Sequence, residues 1–132
     1  MRTLILLGLA LQFHITSLAA QMPLELVHLT IDEAYSPPVY TGGAEALATY
    51  INTHLVYPEL AVDYSIEGTV VLKINLDRNG QVASAEIVRS LGFGCEQAAL
   101  EVVNNMPGWK TATRGNRAEE SIVLLPIRFR LR

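Results

Sequence analysis

Apolar and polar residues alternate with a period of two over Thr69–Leu76, where Val70, Leu72, Ile74 and Leu76 share one face. That pattern predicts a half-buried β-strand. Asp77-Arg78-Asn79-Gly80 supplies turn chemistry, because Gly80 can take the positive φ that a four-residue hairpin loop needs. A second strand over Val82–Arg89 returns with Ala83, Ala85 and Ile87 on one face and Ser84 and Glu86 on the other. Val82 and Val88 break that alternation and leave its register open. The last alternation, Ser121–Leu131, sets Val123, Leu125, Ile127, Phe129 and Leu131 against Arg128 and Arg130. Pro126 within it cannot donate to a ladder, so this strand is expected to have an unpaired edge near Pro126.

A helical period governs the stretches between. Leu47, Tyr50, Ile51 and Leu55 predict a helix from about Ala44 to Leu55, with Gly43 as its start. Pro58 bars continuation beyond Tyr57 and suits the first position of a short helix, Pro58–Tyr64, where a missing N–H costs nothing. Cys95, Ala98, Ala99, Val102, Val103 and Met106 form a second apolar stripe, opened by Gly92-Phe93-Gly94 and closed by Pro107-Gly108. Trp109 is expected to cover the edge of the core, and Lys110–Glu120 reads as a polar connection. Three strands and two main helices place the chain in the α+β class, a three-stranded antiparallel sheet with the helices packed on one face.

The first 20 residues follow a different rule. Met1-Arg2, the apolar run Leu4–Leu11 and the small residues Ser17-Leu18-Ala19-Ala20 have the order of a secretory signal peptide. Gln12 and His14 break the apolar run below the roughly 20 residues that span a bilayer; an uncleaved membrane anchor is the alternative. The expected organisation is a signal over residues 1–20, an extended lead-in over 21–41, and a folded domain over 42–132. Within the lead-in, Val27, Leu29 and Ile31 alternate with His28 and Thr30 as in a short strand.

Composition narrows the class. The 132 residues are 50% hydrophobic and 17% charged with one cysteine, enough for one domain with a core and unlike a disordered or disulfide-stapled chain. A net charge of −3 argues against a nucleic-acid partner, since phosphate affinity is carried by excess Lys and Arg. The charge is also uneven. Residues 21–72 hold seven acids and no Lys or Arg, whereas Lys110–Arg132 holds six bases and two acids. Two readings stay open: the ends of one domain attract each other, or a basic strand faces a partner.

Signals of chemistry are weak. His28 and His54 lack the ligand spacing of a zinc site, and there is no glycine-rich phosphate loop or serine elbow, so no cofactor, metal or catalytic residue is expected. Cys95 lies at a predicted helix N-terminus, where a thiol's pKa falls, but its period with Ala98, Ala99 and Val102 predicts a buried core position. A redox role for it would need a second thiol.

Several motifs then occur in a family's order. Tyr57-Pro58-Glu59-Leu60-Ala61, Ile66-Glu67-Gly68-Thr69-Val70 and Asp77-Arg78-Asn79-Gly80-Gln81-Val82 resemble the C-terminal domain of TonB, the energy transducer of Gram-negative envelopes. Gly42–Leu47, Arg89–Cys95, Met106-Pro107-Gly108-Trp109-Lys110 and Leu125-Pro126-Ile127-Arg128-Phe129 resemble its Bacteroidetes branch. The resemblance implies a periplasmic, non-enzymatic domain. It would capture the TonB box, an extended segment of an outer-membrane TonB-dependent transporter, as a strand added to a sheet edge, and so take part in transmembrane transport. By position the receiving edge is Ser121, Ile122, Val123, Leu124, Leu125, Ile127 and Phe129, with Tyr57 and Pro58 nearby. His54 stands where many members carry a Gln that helps hold the box. For Tyr57 and Pro58, packing at a helix start is an equal alternative, and Ile122 and Leu124 either remain open or pack beneath the lead-in. Inner-membrane motor proteins become partners if residues 1–20 stay as an anchor. The rival expectation is a self-associating envelope protein, a homodimer through its last strand with no peptide site.

Overall fold

The hairpin predicted from the alternation at residues 69–89 forms the centre of the structure. The computed structural model describes residues 34–132; the expected signal segment and the strand around Val27, Leu29 and Ile31 lie outside the described residues. Along the chain come β1 (Tyr35–Ser36), β2 (Val39–Tyr40), α1 (Gly43–His54), α2 (Glu59–Asp63), β3 (Gly68–Leu76), β4 (Val82–Arg89), α3 (Cys95–Asn104), β5 (Trp109–Lys110), β6 (Ala112–Arg114), β7 (Arg117–Glu119) and β8 (Ser121–Phe129). The main sheet is antiparallel with strand order β4-β3-β8.

Its inner face is the core. Val70, Leu72, Ile74 and Leu76 of β3 and Leu125, Ile127 and Phe129 of β8 are all buried, as two-residue alternation requires. The apolar stripe of α3 covers them with Cys95, Ala98, Ala99, Val102 and Val103, and α1 packs Leu47, Tyr50, Ile51 and Leu55 against the same cluster. The two helices are tied by the Tyr50 hydroxyl, which donates to the Val102 carbonyl at 3.3 Å. Cys95 is buried, and that burial raises its thiol pKa, with the neighbouring Glu96 charge adding to the effect. The core position read from the sequence is therefore the one observed, and the position does not activate the thiol.

Four local outcomes differ from the pattern. In β4, a register shift between Asn75 and Leu76 sets Val82 opposite Leu76. Val82 packs on the core in place of Ala83, which is exposed. The polar connection Lys110–Glu120 is in fact β6 and β7, a small hairpin turning at Gly115 and extended by β1. Arg114 bonds Glu119 at 2.9 Å across it and lies over the Tyr35 ring. Part of the lead-in is also built in: Tyr40 is buried edge-on against Trp109, and β2 pairs with β5. Pro58 is the N-cap of α2, one residue before the helix begins.

The hairpin loop joins these parts. The Asp77 carboxylate accepts the N–H groups of Asn79 and Gln81 at 2.8 and 2.9 Å, and the Trp109 N–H donates to the Gly80 carbonyl at 2.7 Å. Gly80 has φ 77°, and a Cβ there would stand 1.9 Å from the Trp109 carbonyl oxygen. Gly80→Ala is expected to lower the unfolding free energy by about 2 to 4 kcal/mol in denaturant melts. Gly80→Asn, which tolerates positive φ, gives no rescue, because the Cβ itself is the obstacle.

Candidate functional site

A sheet of three strands has two edges, and their chemistry differs. β4 is interrupted by register shifts near both ends and carries Glu86 and Arg89, features that discourage a further strand. β8 pairs with β3 without interruption from Ser121↔Leu76 to Phe129↔Gly68, nine residues or about 30 Å of regular strand. Its other side has no paired strand among the described residues. Pro126, opposite Val71, is compatible with this arrangement only if its nitrogen faces the open side. Backbone alternation then turns the polar groups of Ile122, Leu124 and Arg128 to that same side, and those of Val123, Leu125, Ile127 and Phe129 to β3.

The predicted site residues separate accordingly. Leu125, Ile127 and Phe129 point into the core, and Val123 packs against it. Ile122 and Leu124 are 60% and 62% exposed on the outer face, so both are open among the described residues. The Ser121 hydroxyl is buried without a partner among the described residues. Tyr57 sits edge-on to Phe129 with ring centroids 5.5 Å apart, and its hydroxyl donates to the Ile66 carbonyl. Burial, followed by the nearby Cys95 and Glu67, pushes its phenol pKa upward. Pro58 lies against Gly94, where an added Cβ would meet the proline ring at 3.3 Å. His54 stacks on Tyr50 with centroids 4.1 Å apart, and its Nδ1 is 2.8 Å from the Tyr50 carbonyl.

A cleft of about 690 Å³ joins these parts at the far end of β8. It is lined by Asn52, Leu55, Tyr57, Arg128, Arg130 and Arg132. His54 is not among the lining residues; Asn52 and Leu55 from the end of α1 are. Asn52 has no sequence signal of its own, whereas the alternation of the last strand sets Arg128 and Arg130 on one face and Arg132 continues their period.

The Tyr57-Pro58 step is braced by the loop before α3. The Glu96 carboxylate accepts the N–H groups of Leu91 and Gly92 at 2.5 and 2.6 Å. The Gly92 bond is the foremost cause that holds the Glu96 pKa below the ordinary carboxylate range, against a raising effect of burial. A carboxyl depressed in the folded state stabilises above its unfolded pKa, and the contribution is lost as pH falls through the folded one. Glu96→Gln is expected to cost about 1 to 2 kcal/mol at neutral pH. The difference from wild type should close below the normal carboxylate range in urea melts at stepped pH.

Among the described residues no group of His, Cys, Asp and Glu could hold a metal ion, and no helix is long and apolar enough to cross a membrane. The unpaired edge of β8 is flanked by a basic cleft, and its free backbone N–H and C=O groups are suited to pairing with an extended chain. Residues 53–131 match the family model of the Gram-negative bacterial TonB protein C-terminal. The chain is 34% identical over 76 residues to Protein tonB2 of Pseudomonas aeruginosa; the match covers 57% of this chain and 28% of that protein. The fold is similar to the NMR solution structure of Helicobacter pylori TonB-CTD, with a TM-score of 0.50 and 22% identity over 65% of this chain and 90% of that one. The uninterrupted β8, its open edge and the matched segment meet in one conclusion: this chain belongs to the TonB C-terminal domain family.

Proposed function

We propose that the open edge of β8 receives an extended segment of an outer-membrane TonB-dependent transporter, the TonB box, as an added strand, and that the chain takes part in transport through this contact without doing chemistry. The observation that carries the reading is the side of β8 left unpaired along its regular length. An added strand satisfies those N–H and C=O groups with its own backbone and needs few particular side chains. Ile122 and Leu124 then offer apolar outer-face contacts beside the new strand. Tyr57 supports the edge by packing against Phe129 at its end, Pro58 sits against Gly94 of the loop before α3, and His54 acts through Tyr50 instead of touching the peptide.

The setting proposed is the periplasm, reached through residues 1–20 as an export signal. If those residues are kept as an anchor, the inner-membrane motor proteins become further partners. The folded unit proposed is 42–132, with 34–41 contributing Tyr40 to its core. One observation favours a second occupant of the same edge: the exposure of Ile122 and Leu124 suits a second copy of this chain, paired β8 to β8 as a homodimer.

Titration with a TonB-box peptide, followed by backbone amide shifts, separates these readings. The expected result is movement of residues 121–129, and loss of binding when alternate peptide nitrogens on the pairing side are methylated. Shifts confined to other residues contradict the site. A tight dimer by light scattering that takes no peptide supports the second-copy reading instead.

A further inference from the structure

Arg128, Arg130 and Arg132 line one cleft, and no Asp or Glu side chain among the described residues lines it. Among the described residues the ion pair is Arg114 with Glu119, elsewhere on the surface. Glu67 borders a neighbouring hollow with Arg128 and Arg130, and one of its oxygens accepts the Leu131 N–H at 2.7 Å. Three guanidinium groups therefore share a recess whose remaining walls, among the described residues, are an amide, a leucine and a phenol. A guanidinium forms its strongest contacts with planar oxyanions, which it can grip through two N–H groups.

Two further features identify the occupant. Arg128 belongs to β8 itself, so the recess is continuous with the open edge. The arginines also recur at every second residue, Arg128 within β8 and Arg130 and Arg132 just past its end, which is the period at which an extended peptide repeats its side chains on one face. An added strand with acids at alternate positions would meet them in step. Resting on strand addition at β8, we propose that the cleft is an anion subsite for the carboxylates of that added segment. It selects an extended peptide with Asp or Glu at alternating positions at the end lying beside Arg128–Arg132. The apolar alternation of β8 gives affinity through backbone pairing, and the cleft gives the segment its direction and register.

The test uses the full chain and synthetic peptides. Glu-Thr-Glu-Val-Thr-Val-Thr-Val and its reversed sequence Val-Thr-Val-Thr-Val-Glu-Thr-Glu place the acids at opposite ends on the same strand face, and each has a Gln counterpart. The expected result at low salt is that one acidic peptide binds about tenfold more tightly than its Gln counterpart, while the other gains little; which one it is reports the strand's direction. In R130E/R132E the preference should invert toward the matching Lys peptide, a change that mere loss of structure would not produce. Equal binding of Glu and Gln peptides, with β8 amides responding to both, overturns the subsite and leaves strand addition standing. No response of β8 to any peptide overturns both. Sedimentation of the chain with phosphatidylglycerol vesicles, without discrimination among the peptides, also overturns the proposal, because it assigns the arginines to a lipid surface.

Discussion

Slipping β8 by one residue against β3 would turn Leu125, Ile127 and Phe129 out of the core and force Leu124, Pro126 and Arg128 inside. That constraint fixes the register of the whole pairing. Each of the three side chains is almost fully buried, and truncating a residue of this kind typically costs about 2 to 5 kcal/mol. The outer strand is thus held straight and immobile by one of its faces and one of its edges. Its second edge pairs with no strand among the described residues. The helices contribute by filling the inner face: α3 lays small residues on β3, and α1 packs Tyr50 against the core and brings Leu55 down beside the end of β8.

The same constraint explains the neighbouring loops. Tyr57 reaches Phe129 only because the chain turns between α1 and α2, and Pro58 can start α2 there because the Gly94 side of the α3 loop leaves room for its ring. Glu96 fixes that loop from the helix side. At the opposite end, Gly80 lets the hairpin loop approach Trp109 and closes the core over Tyr40. An edge strand that binds a partner by its backbone gains from such bracing, since a preorganised edge loses less conformational entropy on binding.

Much of this was legible in the sequence, because the longest elements obey a single period. Val70 to Leu76 and Leu125 to Phe129 alternate without exception, the helical stripe from Cys95 to Val103 is continuous, and Pro126 alone announced an open edge. The short elements were not legible. β6 and β7 hold three residues each, too few to display a period, and their turn at Gly115 lies within a polar run. In β4 a shifted register exchanged Val82 for Ala83, which follows from where the hairpin loop closes and not from alternation. The cleft is a tertiary feature: Asn52 and Leu55 meet the arginines only after α1 folds across the sheet. His54 ends α1 stacked on the Tyr50 ring and is not among the residues lining the cleft.

The central claim is that β8 is satisfied on one side and open on the other. Hydrogen exchange resolved for each β8 amide by NMR, with and without a TonB-box peptide, tests this most directly. In the free chain Val123, Leu125 and Ile127 should be protected while Ile122, Leu124 and Arg128 exchange rapidly, and saturating peptide should protect the second set as well. Equal protection of both sets in the free chain, or continued rapid exchange of Ile122 and Leu124 with peptide bound, would contradict it.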